Sequence, residues 1–209
     1  MPPFADLIDG YRRFRGKAYP RQQREYERLV REGQHPRLML VGCCDSRIDP
    51  ARIFDVDPGD IFVLRNIAAL IPPFADADHN HGLVAALEYA VSNLRVPHIV
   101  VMGHGDCGGC KAALDTGERD IADHVHRWTG LLGPDRDAIL ADQDLSNAER
   151  LRAMEHAAVR RSVANLRTYP FIADRLARND IRLAGAYFSL PEGELHRLEQ
   201  NTGTFVPVA

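Results

Sequence analysis

Four short apolar runs divide the chain and predict the strands of a central sheet. They are RLMLVGC at 37–43, IFVLR at 61–65, HIVVMGH at 98–104 and IRLAGAYFSL at 181–190. Short runs that stay apolar without alternation are typical of strands buried on both faces of a parallel sheet. The PEGE segment at 191–194 follows the last run and predicts a turn into a short hairpin.

Helical patterns lie before and between these runs. Amphipathic helices are predicted over residues 4–14 and 20–33, an apolar helix over 82–95, a short one near 109–115 and a long one over 146–169. Strands that alternate with helices favour a mostly parallel sheet with right-handed crossovers. The pattern therefore predicts an α/β fold whose central sheet is flanked by helices and preceded by an N-terminal helical arm.

The chain shows no internal repeat, low-complexity block or Pro/Gly-rich linker. We therefore predict a single domain over residues 1–209, made of a helical arm at 1–35 and an α/β core at 36–209. Residues 116–145 are charged and irregular, so we expect surface helices and loops there.

Composition narrows the class of protein. The 209 residues are 45% hydrophobic and 26% charged, which is ordinary for a globular protein, and the net charge is −3. This acidic balance gives no support for nucleic-acid binding. No apolar run approaches the roughly 20 residues that cross a bilayer, and the N-terminal residues lack the apolar block of a signal peptide. We therefore expect a cytoplasmic protein without membrane or nucleic-acid partners.

The four cysteines form two tight pairs, Cys43–Cys44 and Cys107–Cys110. In a reducing compartment such pairs favour metal binding or redox chemistry over structural disulfides. Cys43 and His104 end two predicted strands and Cys107 lies just beyond, so the carboxyl edge of a parallel sheet would bring them together. Two thiolates and an imidazole suit zinc, and three ligands leave a fourth position open, as in catalytic zinc sites.

Other interpretations of the cysteines stay open at this point. A buried free cysteine is often only a small hydrophobic residue, which applies to Cys44 and Cys110 taken alone. Cys107 and Cys110 also have the spacing of a redox-active dithiol, so a thiol-redox module is an alternative. That alternative leaves His104 and the segment 43–47 without a role. A four-cysteine structural zinc is weaker, because adjacent strand residues point to opposite faces.

The residues around the first cysteine resemble those of the beta-class carbonic anhydrases. Their first motif, Cys-x-Asp-x-Arg, is present at Cys43, Asp45 and Arg47, and their second, His-x-x-Cys, at His104 and Cys107. The resemblance covers most of the chain and includes the stretches RNIAALIPP, ALEYAV and HIVVMGHGDCGG. Either motif alone would be weak evidence, whereas both in order are strong. The resemblance implies a sheet of four parallel strands plus an edge strand. It also implies that the chains assemble as dimers or multiples of dimers, with a tetramer expected.

The resemblance implies the chemistry as well. One Zn²⁺ per chain would be held by Cys43, His104 and Cys107, and zinc-bound hydroxide would hydrate carbon dioxide reversibly to bicarbonate and a proton. Asp45 would accept a hydrogen bond that orients the hydroxide, and Arg47 would keep Asp45 ionised. A related zinc hydrolase acting on carbon disulfide remains an alternative, because the residues share this chemistry.

The plant-like branch of this family also implies a substrate slot. Its glutamine, phenylalanine, aliphatic residue and tyrosine correspond here to Gln34, Phe62, Ile67 and Tyr89, and the backbone N–H of Gly108 would face the substrate. Ordinary core packing is the alternative for the three apolar and aromatic residues. His79 and His81 are candidate proton shuttles by residue type only, and solvated loop histidines are the simpler interpretation.

A second branch of the family closes its site when the aspartate binds zinc, and it carries a tryptophan three residues before the first zinc cysteine. This chain has Leu40 there, while Arg65 occurs in both branches and Phe188 stands near the position of that branch's tyrosine. We therefore expect the open-site form, with water as the fourth zinc ligand and without the bicarbonate inhibition of the closed-site branch.

Overall fold

The computed structural model describes residues 3–115, 117 and 122–208. Within them, one six-stranded sheet has the order β2-β1-β3-β4-β5-β6. Its strands are β1 (Leu38–Cys43), β2 (Ile61–Asn66), β3 (His98–His104), β4 (Arg182–Ser189), β5 (Glu194–Leu198) and β6 (Phe205–Pro207). The first four pair in parallel, while β5 and β6 are antiparallel. The predicted α/β fold with four parallel strands is confirmed, with two added strands instead of the expected one.

Nine α-helices accompany the sheet in the described ranges. They are α1 (Pro3–Arg13), α2 (Tyr19–Glu32), α3 (Pro50–Ile53), α4 (His81–Glu88), α5 (Gly108–Leu114), α6 (Asp123–Thr129), α7 (Gly133–Ala141), α8 (Asn147–Leu166) and α9 (Pro170–Ala177). A capping box begins α8, since Ser146 accepts from the Glu149 N–H and Glu149 accepts from the Ser146 N–H. Of the predicted irregular region 116–145, residues 116 and 118–121 lie outside the described residues.

The N-terminal arm differs from the two separate helices that were predicted. A π-helical segment, Phe14–Ala18, joins α1 to α2 without a break, so the chain runs as a nearly continuous helix. The prediction began a second helix at Pro20, which is a good first-turn residue, whereas Pro20 lies within the continuous helix just after the π-helical segment. A second π-helical segment, Tyr89–Asn93, extends α4 in the same way.

The main core lies between one face of the sheet and the helices α4, α8 and α9. Met39 and Val41 of β1 alternate onto this face and belong to the same buried cluster as Val159 and Val163 of α8. Close approach of α8 depends on Gly103, where an added Cβ would lie 2.6 Å from Val159 Cγ2. A second cluster surrounds Cys43 and Cys107 at the carboxyl edge of the parallel strands. Helix α8 packs against both β3 and β4 and thereby reaches this edge.

Candidate metal centre

The three predicted ligands meet at the carboxyl edge of the sheet. Cys43 is the last residue of β1, His104 is the last residue of its parallel neighbour β3, and Cys107 directly precedes α5. All three side chains are buried. One potential donor atom from each lies within 4.8 Å of the others, and the two sulfur atoms are 3.9 Å apart. In the described part of the chain, this is the one such group of three or more ligand residues.

The orientation of His104 shows that this group fits a metal ion. Its Nδ1 lies 2.8 Å from the carbonyl oxygen of Gly105, to which Nδ1–H can donate. That bond leaves the lone pair of Nε2 free, and Nε2 is a buried atom without a hydrogen-bond partner among the described residues. A buried unpaired nitrogen beside two thiols is costly unless an ion binds it. Two cysteines and one histidine make a donor set suited to zinc.

The thiols are protonated in the metal-free chain. Contact with Cys107, followed by burial, raises the pKa of Cys43 to about 12. Contact with Cys110 raises the pKa of Cys107 to about 12, and burial adds to it. Since zinc binds the thiolate, metal binding must release these protons. Cys44, by contrast, is exposed, and Cys110 is buried beside Cys107.

Asp45 and Arg47 form a bidentate ion pair beside the three ligand residues. Arg47 donates from Nε to Oδ1 at 2.9 Å and from Nη2 to Oδ2 at 2.7 Å, and its backbone N–H donates to the same carboxylate. Hydrogen bonds from Arg47 hold the pKa of Asp45 far below its ordinary range, so the carboxylate stays ionised. Asp45 Oδ2 lies 3.9 Å from His104 Nε2, within reach of anything bound at that nitrogen.

Asp106, which the sequence reasoning missed, extends this pair. Arg47 Nη1 donates to Asp106 Oδ2 at 2.8 Å and Nη2 donates to the Asp106 carbonyl at 3.0 Å, while Lys111 pairs with the other carboxylate oxygen. Asp106 adopts a positive φ of 58°, which closes the turn between His104 and Cys107. The sequence did contain a signal for Asp106, because it is a charged residue in the glycine-rich turn between His104 and Cys107.

Glu155 of α8, also missed, reaches the same turn from the core. It is 3% exposed and accepts hydrogen bonds from the Cys107 N–H and the Tyr187 hydroxyl, each at 3.0 Å. Burial raises the pKa of Glu155, and the two hydrogen bonds oppose that rise. The available signal was an acid within the apolar helical repeat of α8, between Leu151 and Ala158.

The predicted slot residues fall into two separate groups. Gly108 follows Cys107 directly, and Ile67 packs close to the start of α5, since a Cβ on Gly109 would lie 2.6 Å from Ile67 Cγ2. Phe62 and Tyr89 form the second group, which lies away from the metal centre, and their ring centroids are 6.0 Å apart.

Strand register measures how far the second group lies from the metal centre. Phe62 pairs with Met39, whereas Cys43 pairs with Asn66. Four residues of strand correspond to about 13 Å. Gln34 lies exposed beyond the end of α2, also apart from the ligands.

An open cavity of about 560 Å³ adjoins the ligand edge. Its lining includes Cys44, Ile67, His79, His81 and His124. The three histidines are exposed, as expected for solvated side chains. Nearby, Arg65 donates to the carbonyl groups of Cys43, Asp45 and Ile48 and so fixes the loop that follows β1.

Comparison with known proteins identifies the family. The family model described as carbonic anhydrase matches residues 38–195. A carbonic anhydrase from Synechococcus elongatus is 33% identical over 198 residues, covering 94% of this chain and 72% of the relative. Beta carbonic anhydrase 3 of Arabidopsis thaliana is 31% identical over 191 residues, covering 90% of this chain and 73% of that relative. The chain belongs to the beta-class carbonic anhydrases. The predicted resemblance is therefore confirmed.

Solved structures of beta-carbonic anhydrases share the fold over the full chain. The beta-carbonic anhydrase CcaA is 32% identical and superposes with a TM-score of 0.92, covering 98% of this chain and 99% of that one. A structure from work on two tetrameric beta-carbonic anhydrases of Sordaria macrospora is 27% identical with a TM-score of 0.83, covering all of both chains.

Membership settles the activity and the cofactor. The protein is a carbonic anhydrase that hydrates carbon dioxide, and its cofactor is zinc, for which Cys43, His104 and Cys107 form a suitable site. Across the residues that the structure describes, no helix is both long enough and apolar enough to cross a membrane.

Proposed function

We propose that Asp45 and Arg47 are the catalytic pair of this beta-class carbonic anhydrase. The observation that carries the proposal is the position of Asp45 Oδ2, which is 3.9 Å from His104 Nε2 and bonded to Arg47. Zinc held by the ligand group supplies a Lewis acid that brings the pKa of a bound water from about 15.7 toward about 7.

An ionised Asp45 can only accept hydrogen bonds. It therefore accepts a hydrogen bond from the reacting water or hydroxide. This orientation leaves an oxygen lone pair directed at the carbon of carbon dioxide. Arg47 keeps Asp45 ionised and fixes its carboxylate plane through two parallel bonds. Gly108, at the start of α5, offers its backbone N–H to the substrate oxygen.

We also propose that the carbon dioxide slot is completed by a second subunit. Ile67 and Gly108 lie beside the ligands of their own chain, while Phe62 lies about 13 Å from the ligand end of β1 along the strand direction and Tyr89 contacts Phe62. Tyr89 is 46% exposed, which is unusual for an aromatic residue in an apolar slot. A two-fold axis near β2 would bring one chain's Phe62 and Tyr89 to the other's ligands.

The N-terminal arm supports assembly into homodimers or multiples of dimers, with a tetramer expected. In α1 the apolar side chains Phe4, Leu7 and Tyr11 are between 60% and 70% exposed. An exposed apolar face of this kind typically packs on a partner. The Sordaria macrospora relatives are described as tetrameric, which agrees with the proposal.

We propose an open resting site with water as the fourth zinc ligand. Asp45 is bound by Arg47 and is not free to turn onto the metal. Leu40 replaces the tryptophan of the closed branch, and Arg65 is engaged with backbone carbonyl groups. We place this single-domain enzyme in the cytoplasm, because a reducing compartment keeps the thiols of Cys43 and Cys107 available for zinc.

The test is stopped-flow hydration of carbon dioxide by the Asp45→Asn variant. We expect kcat/KM to fall roughly 10²- to 10³-fold, since the amide can present a donor where the carboxylate accepts, while zinc content stays at one per chain. Asp49→Asn is the matched control, because Asp49 caps α3 and asparagine caps equally well. Full activity in zinc-loaded Asp45→Asn would refute the assigned role.

A further inference from the structure

One peptide unit at the metal centre is held from both of its ends. The unit joins Asp106 to Cys107. Its carbonyl oxygen accepts from Arg47 Nη2 at 3.0 Å, and its N–H donates to Glu155 Oε1 at 3.0 Å. Arg47 approaches from the solvent side and is 47% exposed at its side chain, whereas Glu155 approaches from the core and is 3% exposed.

Glu155 is itself fixed before it reaches this peptide. Its second carboxylate oxygen accepts from the Tyr187 hydroxyl at 3.0 Å, and Tyr187 is 1% exposed on β4. The same hydroxyl closely approaches the turn, since a Cβ on Gly105 would lie 3.0 Å from it. A buried carboxylate is costly unless hydrogen bonds satisfy it, and here both donors converge on the ligand turn.

We propose that Glu155 is a positioning residue of the metal centre, which sets the plane of the Asp106–Cys107 peptide and thereby the direction of the Cys107 thiolate. Because the carbonyl of that peptide binds Arg47, Glu155 also supports the orientation of the Asp45–Arg47 pair. The inference rests on the proposed ligand set and catalytic pair. It assigns to a residue of α8, distant in sequence from both motifs, control over how firmly zinc is held.

Simple core packing is the competing explanation, and it predicts a different result. If Glu155 only satisfied two donors, its replacement would lower the stability of the fold without a particular effect on the metal. Ser162 provides the comparison, because it lies two turns further along α8, is fully buried, and bonds to the backbone of Ala69 and Ile71 instead of to the ligand turn.

The experiment measures zinc affinity of the whole protein by competition with a chelator of known affinity, without turnover. Groups that orient metal ligands typically contribute 10- to 100-fold in affinity, so we expect Glu155→Gln to weaken zinc binding by about that factor. Ser162→Ala should stay within about threefold of wild type. In the cobalt-substituted protein, the thiolate-to-metal charge-transfer band should shift in Glu155→Gln and not in Ser162→Ala.

Tyr187→Phe provides a second, milder variant. It removes one of the two hydrogen bonds to Glu155 and keeps the ring, so we expect a loss of zinc affinity of about three- to tenfold. If Glu155→Gln does not fold, this variant decides the question. An affinity loss in Glu155→Gln or Tyr187→Phe no larger than in Ser162→Ala would overturn the proposal. Asp45→Asn lowers activity at unchanged zinc affinity, so the two proposals fail separately.

Discussion

In the turn from His104 to Cys107, hydrogen-bonding groups meet partners from three other parts of the same chain. Arg47 binds Asp106, Glu155 binds the Cys107 N–H, and the Gly105 N–H donates to Phe188. In α1, by contrast, Leu7 is 69% exposed and the neighbouring apolar side chains lie open in the same way.

The difference separates what one chain can build from what needs two. The backbone of the ligand turn is bonded to groups of its own chain, and all three zinc-ligand residues come from that chain. The arm exposes an apolar face, and the aromatic pair Phe62 and Tyr89 lies away from the ligands of its own chain. Zinc binding should therefore depend on the fold alone, whereas turnover should also depend on assembly.

We expect the largest effect from charges placed on the apolar face of α1. In the double variant Leu7→Asp and Tyr11→Asp, we expect dissociation toward monomers in sedimentation experiments at low micromolar concentration. Activity per bound zinc should fall about tenfold or more, because displaced slot residues no longer hold the substrate. Zinc content should remain at one per chain.

The double variant Arg12→Ala and Arg13→Ala is the matched control for the arm. It makes the same change of net charge on the same helix but leaves the apolar face intact. We expect its assembly and activity to resemble those of wild type. An arm variant that is monomeric yet fully active would show that the slot is complete in one chain.

A smaller effect concerns His156, which is stacked on Phe205 with ring centroids 4.2 Å apart. Burial, followed by the charges of Arg160, Arg152 and His196, lowers the pKa of His156 from the ordinary 6.5 to about 4. Between pH 4 and pH 6.5, His156 is mostly protonated in the unfolded chain and mostly neutral in the folded chain. Stability is therefore full above pH 6.5 and falls as the pH drops toward 4, by about 2–3 kcal/mol for this group.

Urea unfolding of the zinc-free chain at pH 7, 5.5 and 4.5 checks this expectation. His156→Phe keeps the stacked ring and removes the titrating group, so its stability should fall less over the same range. The difference between the two pH profiles isolates His156 from the other acids and bases. Parallel profiles for wild type and variant would mean that His156 does not titrate as described.

Much of the site could be predicted because its determinants are local. Cys43 and His104 end apolar runs that are recognisable as parallel strands, and the carboxyl edge of such a sheet brings them together. The hairpin after β4 followed from the turn residues at 191–194. The break predicted between α1 and α2 was wrong, because the π-helical segment carries the helix through to Pro20.

The remaining features depend on contacts that no local pattern contains. Glu155 lies 48 residues after Cys107, and their contact depends on which face of α8 packs at the ligand edge. That Phe62 lies apart from Cys43 depends on the strand register. Asp106 could be noticed beside the ligands, but its bond to Arg47 joins residues 59 apart in sequence and depends on the fold.

The central claim is that one zinc ion, held by Cys43, His104 and Cys107, makes this chain a carbonic anhydrase. Titrating the metal-free protein with zinc while following carbon dioxide hydration tests it most directly. We predict that activity rises linearly and stops rising at one zinc per chain. Cys43→Ala should remain inactive, and Cys44→Ser, which changes the adjacent exposed cysteine, should behave as wild type. Full activity before zinc is added, or in Cys43→Ala, would contradict the account.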